Sequence, residues 1–546
     1  MALTDEKLLE AGIYTGLLET SITDKLKVDA RRQRCSVIDL VLAHYRLPIS
    51  ILHRAVAEKN QLSYLDAGSF TIDNSLVKKL PASLIKRKLI LPVQQGDKSF
   101  LVVSDPTDRA SIDSIQRLLG SVLPLVMTDS KSLSLLVKRQ FNRSTNQEES
   151  TTEVVEVDLV GLLDEIIKEA FLNKASDIHF VTEEEGLRVR LRIDGKLRDY
   201  PVEANSTVAA GLVSRIKVLA NLDIAEQRIP QDGGCSYKIS APINAEFNIR
   251  VATAPTRLGE RITLRLLGQQ SGGLTLTALG MLDSDLEKFR QAIKNPYGMI
   301  LLTGPTGSGK STTLCAALQE INKPDINIMT VENPIEYVME GVSQIQTGLK
   351  ISFADALRSL LRHDPDVLMV GEIRDHETAD VSVKAAMTGH LVFSTLHTNN
   401  AVSAVTRLID IGCQAFLIGS TMTAVIAQRL VRRLCENCRQ ERPATDIELS
   451  ELEISDKKLK LYDPVGCASC QGTGFKGRLG LFETLWFDED LARLVSQGGT
   501  EEEIERAAGE RLKFMWEDGC QKVLNGMTTL TEVHDVAIVK THKALV

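Results

Sequence analysis

No stretch of this chain approaches the ~20 consecutive apolar residues that a membrane-spanning helix requires, so no transmembrane anchor is expected within it. The opening residues Met1-Ala-Leu-Thr-Asp-Glu-Lys7 lack the charged-then-apolar pattern of a secretory signal. Aromatic residues are scarce at 4%, and the net charge is −8. A channel that stacks bases on aromatic rings and follows phosphates with basic side chains is poorly supplied by either, so nucleic acid is not an expected partner. Nine cysteines, an odd number in a long chain, do not read as a disulfide framework. These absences point to a reducing, cytoplasmic setting.

What is present is the composition of a soluble globular protein, 43% hydrophobic and 25% charged. At 546 residues the chain is too long for one core, and three or four domains are expected. Gly304, Pro305, Thr306, Gly307, Ser308, Gly309, Lys310 and Ser311 fit the phosphate-loop pattern G-x-x-x-x-G-K-[ST]. The apolar run Met299–Thr303 before it reads as a buried strand, and Thr312–Glu320 after it as a helix. A glycine turn at a helix start gathers unpaired backbone N–H groups and the positive end of the helix dipole around an anion. Lys310 is expected to reach the outer phosphates of a nucleoside triphosphate, and Ser311 to offer its hydroxyl to magnesium, with Thr312 beside it.

Downstream, Leu368-Met-Val-Gly-Glu372 is an apolar strand delivering an acid. Glu372 is the candidate for polarising an attacking water or holding the metal's water shell. Met329–Glu336 is read as another strand ending in acids, with Glu332 and Glu336 as further candidates. His390 and His397 flank the core strand Leu391–Thr395; as isolated residues both read as structural. Cys435 and Cys438 form one C-x-x-C pair and Cys467 and Cys470 a second, 28 residues on. Two pairs of thiolates suit a closed structural zinc site, with a small insertion between the knuckles. Cys35, Cys235, Cys315, Cys413 and Cys520 show no such pairing and are expected to be buried.

Residues 1–142 read as a mixed helical and α/β docking or regulatory module, and 143–157, starting with a tract devoid of apolar residues, as a flexible linker. Residues 158–267 form a second domain. In it Leu187–Ile193 alternates strictly, Asp194-Gly195 closes a hairpin, Ser214–Ile224 reads as a helix and Pro230–Gly234 as a turn. Arg250 and Arg265 fall on the polar faces of two neighbouring strands, either as a solvated sheet face or as cations reaching a triphosphate across a boundary. Residues 268–273 look like a hinge. Residues 274–546 alternate strand and helix, as in an α/β domain with a mostly parallel sheet, and 435–470 are its zinc-binding subdomain. A nucleic-acid translocase or helicase, or a scaffold that binds ATP without hydrolysing it, are the competing readings.

Taken in order, Ala175-Ser-Asp-Ile-His179, Ile224–Gly233, Gly304–Thr313, Leu361–Asp366, Val370–Asp375, Thr388–Thr398 and the two cysteine pairs followed by Gly477-Arg478 make the chain resemble the secretion ATPase family that drives type II secretion and type IV pilus assembly. The resemblance implies a RecA-like ATPase domain, a PAS-like α+β second domain, and a homohexameric ring with ATP between subunits. By it, Glu372 lies in the Walker B segment, Glu332 and Glu336 in an acidic box, and His390 and His397 in a histidine box. Arg250 and Arg265 match a pair of arginines that reach the γ-phosphate, and hydrolysis swings the second domain about its hinge. It further implies a cytoplasmic location with peripheral association at the inner membrane, a platform protein there as partner, and a docking partner for the N-terminal module. Asn333 stands where the family usually has aspartate, and His363 where glutamine is commoner. No Arg-Leu-Gly motif precedes residue 142, so cyclic di-GMP is not an expected ligand.

Overall fold

The computed structural model describes residues 3–540 apart from 34, 67–68, 143–157, 185, 203–204, 269–274 and 349. The linker expected at 143–157 lies outside the described residues, as does the expected hinge apart from Gly268. The chain gathers into two compact units: Met1–Gln269 with Cys435–Cys438 and Pro464–Lys476, and Gln270–Leu434 with Arg439–Asp463 and Gly477–Val546.

In the first unit, the helices Asp5–Tyr14, Thr20–Gln33, Val37–Tyr45 and Ile49–Lys59 share one apolar cluster around Leu8, Val41, Leu52 and Ala55. Ser36, whose hydroxyl accepts from the Asp39 N–H, caps the third of these. A five-stranded sheet follows, in spatial order Ser63–Tyr64, Leu125–Met127, Lys98–Val103, Ile90–Gln95, Thr71–Ile72. The second domain is a six-stranded antiparallel sheet in the order Lys196–Tyr200, Gly186–Ile193, Asp177–Glu183, Gly259–Leu267, Ala245–Thr256, Gln231–Ile239. Leu187, Val189, Leu191 and Ile193 are buried against the helices Leu159–Leu172 and Ser206–Leu219, as strict alternation requires.

Two expectations for this domain need correction. The helix runs Ser206–Leu219 rather than 214–224, and the segment read as a turn at 230–234 starts the strand Gln231–Ile239. Gly233 and Gly234 are in that strand because of close packing. A Cβ on Gly233 would lie 2.6 Å from the Ala220 carbonyl oxygen, so only glycine lets the strand pass the end of the helix.

The second unit carries an eight-stranded sheet in the order Ser343–Gln346, Ile328–Glu332, Val367–Val370, Leu391–Leu396, Gly298–Thr303, Met422–Leu434, Phe475–Trp486, Leu512–Lys513. Its first six strands run parallel. Gly298–Thr303 is buried along its whole length: Met299 and Leu301 enter one apolar cluster, Ile300 and Leu302 another. A continuous apolar run is what a strand covered on both faces demands. The consequence for function is polarity: every parallel strand delivers its C-terminal residue to the edge where the phosphate loop begins.

Candidate active site and metal centre

The loop leaves the strand at Thr303 and enters the helix Lys310–Ile321 through Gly309. Gly309 has φ +91°, and a Cβ there would sit 2.8 Å from Gln428 Nε2; at Gly304, with φ +142°, it would sit 2.4 Å from the Gln428 carbonyl oxygen. A side chain at Gly304 would have to move the strand backbone beneath it, and one at Gly309 would have to displace the Gln428 amide and take up a left-handed backbone. The Lys310 ammonium donates to the carbonyls of Gly304 at 2.7 Å and Pro305 at 3.1 Å. Burial pushes Lys310 down to about 8, against the attraction of Glu372 and Glu336. Ser308 Oγ is buried without a hydrogen-bond partner among the described residues. A cation bonded only to carbonyls, an orphaned hydroxyl and a glycine cradle that excludes side chains together fit a polyphosphate. Ser311 and Thr312 are half-buried in the first helical turn, Thr312 Oγ1 lying 3.2 Å from Tyr337 Oη.

Three of the expected acids and one histidine reach the same edge. Glu332 ends its strand, buried, and accepts from Thr330 Oγ1 at 2.6 Å and Gln344 Nε2 at 2.9 Å; burial raises its pKa against those two bonds. Glu336 is exposed in the turn that follows, within electrostatic reach of Lys310, and Asn333 is exposed just past the strand. Glu372 lies two residues beyond the strand Val367–Val370. Its Oε2 accepts from Arg374 Nε at 2.6 Å and lies 3.5 Å from His397 Nε2, while Oε1 carries no bond among the described residues. His397 follows the strand Leu391–Leu396. His390 precedes it, and so stands at the opposite edge of the sheet, its Nδ1 within 3.0 Å of the Ala385 carbonyl. The structure does not bring His390 to the loop.

Two residues absent from the sequence reading line the loop. Gln428, buried, accepts from Thr313 Oγ1 at 2.8 Å and packs under Gly304 and Gly309. A lone amide in the apolar run Val425-Ile-Ala-Gln428 was the available signal. Arg429, half-buried, donates to Asn399 Oδ1 at 3.1 Å, and its charge helps to lower Lys310. No carboxylate bonds it among the described residues. In the sequence it stands three residues before Arg432 and Arg433, with nothing local to set it apart from them.

The four cysteine sulfurs lie within 4.8 Å of one another. Cys435–Cys467 and Cys467–Cys470 are 3.8 Å apart and Cys438–Cys470 3.7 Å. A tetrahedron of sulfurs at a zinc–sulfur distance of about 2.3 Å has edges of about 3.8 Å. The N–H groups of Gly466, Cys467 and Gly474 donate to these sulfurs at 3.3, 3.1 and 3.2 Å, as suits thiolates. The site fits zinc with every position closed. Between the knuckles stands the expected insertion, the paired strands Arg439–Pro443 and Lys460–Pro464 with the helix Asp446–Glu451. Of the five other cysteines, Cys315 and Cys413 are buried and Cys235 and Cys520 half-buried, but Cys35 is exposed, contrary to expectation. It follows the helix Thr20–Gln33 and faces no core.

In the second domain Arg250 and Arg265 are direct cross-strand neighbours. Arg265 pairs in turn with Asp177, and Asp177 with Arg192. Arg265 Nε donates to Asp177 Oδ1 at 2.9 Å, and Ser176 Oγ to Oδ2 at 2.8 Å. Asp177, buried, thus orients an exposed guanidinium, whereas Arg250 has no bonded partner among the described residues.

A strand–glycine loop–helix at the C-terminal edge of a parallel sheet, with an acid two residues past a neighbouring strand, defines a RecA-like phosphate-loop ATPase domain, here with an α+β second domain and a four-cysteine subdomain. The sequence profile described as type II/IV secretion system protein matches residues 153–535, and that of the MshEN domain residues 60–146. The chain belongs to the type II/IV secretion system protein family, a family of secretion and pilus ATPases. It is 41% identical over 483 residues to type II secretion system protein E of Pseudomonas aeruginosa, covering 84% of this chain and 95% of that one. It is 37% identical over 521 residues to the type IV pilus assembly ATPase PilB of Thermus thermophilus, covering 91% and 58%. The crystal structure of the Legionella pneumophila ATPase DotB shares the fold, with a TM-score of 0.53 at 23% identity over 70% of this chain and 97% of that one. Among the described residues, no helix is long and apolar enough to cross a membrane.

Proposed function

We propose that this chain is the ATP-hydrolysing motor subunit of a homohexameric ring. Docked peripherally on a bacterial inner membrane against a platform protein, the ring powers type II protein secretion or type IV pilus assembly. The observation that carries the reading is the half-held carboxylate of Glu372 at the same sheet edge as Lys310. Bound ATP would supply the scissile phosphoanhydride, and a magnesium ion with it would offset the phosphate charge. Lys310 would hold the outer phosphates, and Ser311 would hold the metal through its hydroxyl. Glu372 Oε1 accepts the proton of the attacking water as its oxygen bonds the γ-phosphorus and the bond to the β-phosphate oxygen breaks. Arg374 and His397 fix Oε2, so that the free oxygen faces one way. Glu332 and Glu336 would help to hold the metal through its water shell, and Arg250 and Arg265 would bring positive charge to the γ-phosphate.

The same reading assigns 1–142 to docking, 143–157 to a tether, 158–267 to the moving domain, 268–273 to its hinge, and 274–546 to the motor core. Steady-state ATP turnover of the full chain and of Glu372→Gln tests it. Loss of the base lowers turnover by about 10²-fold or more while ATP still binds. Equal turnover in the two proteins would refute the role of Glu372, and stimulation by single-stranded DNA would favour a translocase instead.

A further inference from the structure

The second cysteine knuckle does not stand alone. Ala468, between Cys467 and Cys470, is 3% exposed and belongs to the apolar cluster of the N-terminal helices that contains Leu52, Ala55 and Val56. Its N–H donates to Glu58 Oε2 at 3.0 Å, on the helix Ile49–Lys59. One turn earlier on that helix, Arg54 reaches Gly472 so closely that a Cβ there would lie 2.8 Å from Nη1. Arg54 is itself fixed, stacked 4.3 Å over the Tyr64 ring and paired with Asp66 at 2.5 Å. On its other side the knuckle meets the second domain. Gln471, in the left-handed region at φ +54°, donates to Asn173 Oδ1 at 2.8 Å and accepts from Arg198 Nη1 at 2.9 Å.

We propose that the metal held by the four cysteines shapes a docking plate on which the N-terminal helical bundle and the second domain are both seated, so that occupancy of the metal site controls whether the N-terminal module is held. The physical reason is local. Four sulfurs this close repel one another as thiolates, and the divalent cation is what keeps them together. Without it the Cys467–Cys470 turn opens, and the Ala468 N–H, the Ala468 methyl and the Gln471 amide leave the positions their partners require. Two domains far apart in sequence then lose a shared point of attachment. The proposal needs a metal at the cysteines but is independent of the ATPase reading.

Hydrogen exchange on the full chain tests it, with metal content measured in parallel. Chelation with loss of about one equivalent of zinc is expected to speed exchange in peptides covering Ile49–Lys59 and Asn173 at least about tenfold, while the strand Gly298–Thr303 keeps its protection. Unchanged protection at Ile49–Lys59 in the metal-free chain would overturn the proposal, as would a chain that carries no metal when purified. Should chelation expose Gly298–Thr303 as well, Ala468→Glu decides, because it leaves all four ligands in place. Faster exchange at Ile49–Lys59 with metal still bound supports the plate; wild-type exchange there refutes it.

Discussion

Lys522 and Lys310 are both buried ammonium groups in the second unit, and the fold treats them oppositely. Lys522 lies between the Asp518 carboxylate at 2.5 Å and the Gly480 carbonyl at 2.7 Å, under Phe482. In the first unit Lys217 has the same arrangement, with Glu260 at 2.6 Å and the Glu226 carbonyl at 2.6 Å. Each carries its counter-ion with it, as a buried charge must if it serves only the fold. Among the described residues Lys310 is bonded to two carbonyls and to no carboxylate. Its nearby acids act at a distance, and burial lowers it to about 8. A buried cation without a bonded anion is a cost that a structural residue has no reason to bear. The difference marks which lysine awaits a ligand, and it says the ligand is an anion.

The sharpest way to break this comparison is to remove both charges. Lys522→Met takes the bonded cation from Asp518, which is 1% exposed and has Lys513 4.0 Å away, and should cost about 3–5 kcal/mol of stability in chemical denaturation. Lys310→Met removes an unpaired charge and should leave stability within about 1 kcal/mol of wild type while lowering ATP affinity by about 10²-fold or more. Equal destabilisation by the two would erase the distinction. A subtler break is Gly309→Ala, which forces φ +91° on a side chain already 2.8 Å from Gln428. Strain of about 1–3 kcal/mol should appear as a roughly tenfold or greater rise in the Kd for ATP. Arg265 offers the counterpart in the second domain, a cation that does have a bonded acid yet stays half-exposed. Arg265→Ala should lower kcat about 10²-fold with little change in ATP affinity, and Asp177→Asn about tenfold, because Asp177 only aims the guanidinium. Unaltered turnover in Arg265→Ala would leave the pair as a solvated sheet face.

Much of this was legible in the sequence, for reasons particular residues make plain. The phosphate loop is readable because Gly304, Gly309 and Lys310 have few substitutes at their backbone angles and charge. The cysteine pairs are readable because four thiolates impose their own spacing. The strand Gln231–Ile239 was not, since Gly233 and Gly234 signal a turn unless one knows that the Ala220 carbonyl passes so close that a Cβ on Gly233 would lie 2.6 Å from its oxygen. Gln428 and Arg429 were hidden for a different reason. Their roles come from a strand about 120 residues downstream lying beside Gly298–Thr303, and no local pattern records which strands become neighbours. The histidines fall in between. His390 and His397 bracket one strand, and only the rule that the loop follows its own strand puts the site at the C-terminal edge, where His397 is and His390 is not.

Lys310 is, on these contacts, a cation that takes its counter-ion from the nucleotide. With burial lowering it to about 8 in the free protein, a substantial part of it is neutral at pH 8. Phosphate contact favours the charged form, so binding takes up a proton, and ATP affinity falls as pH rises above 8. Calorimetric titration of ATP at pH 8, in buffers of different ionisation enthalpy, should report net proton uptake in the wild type and near zero in Lys310→Arg. Equal uptake in the two proteins, or none in the wild type, would contradict that role for Lys310.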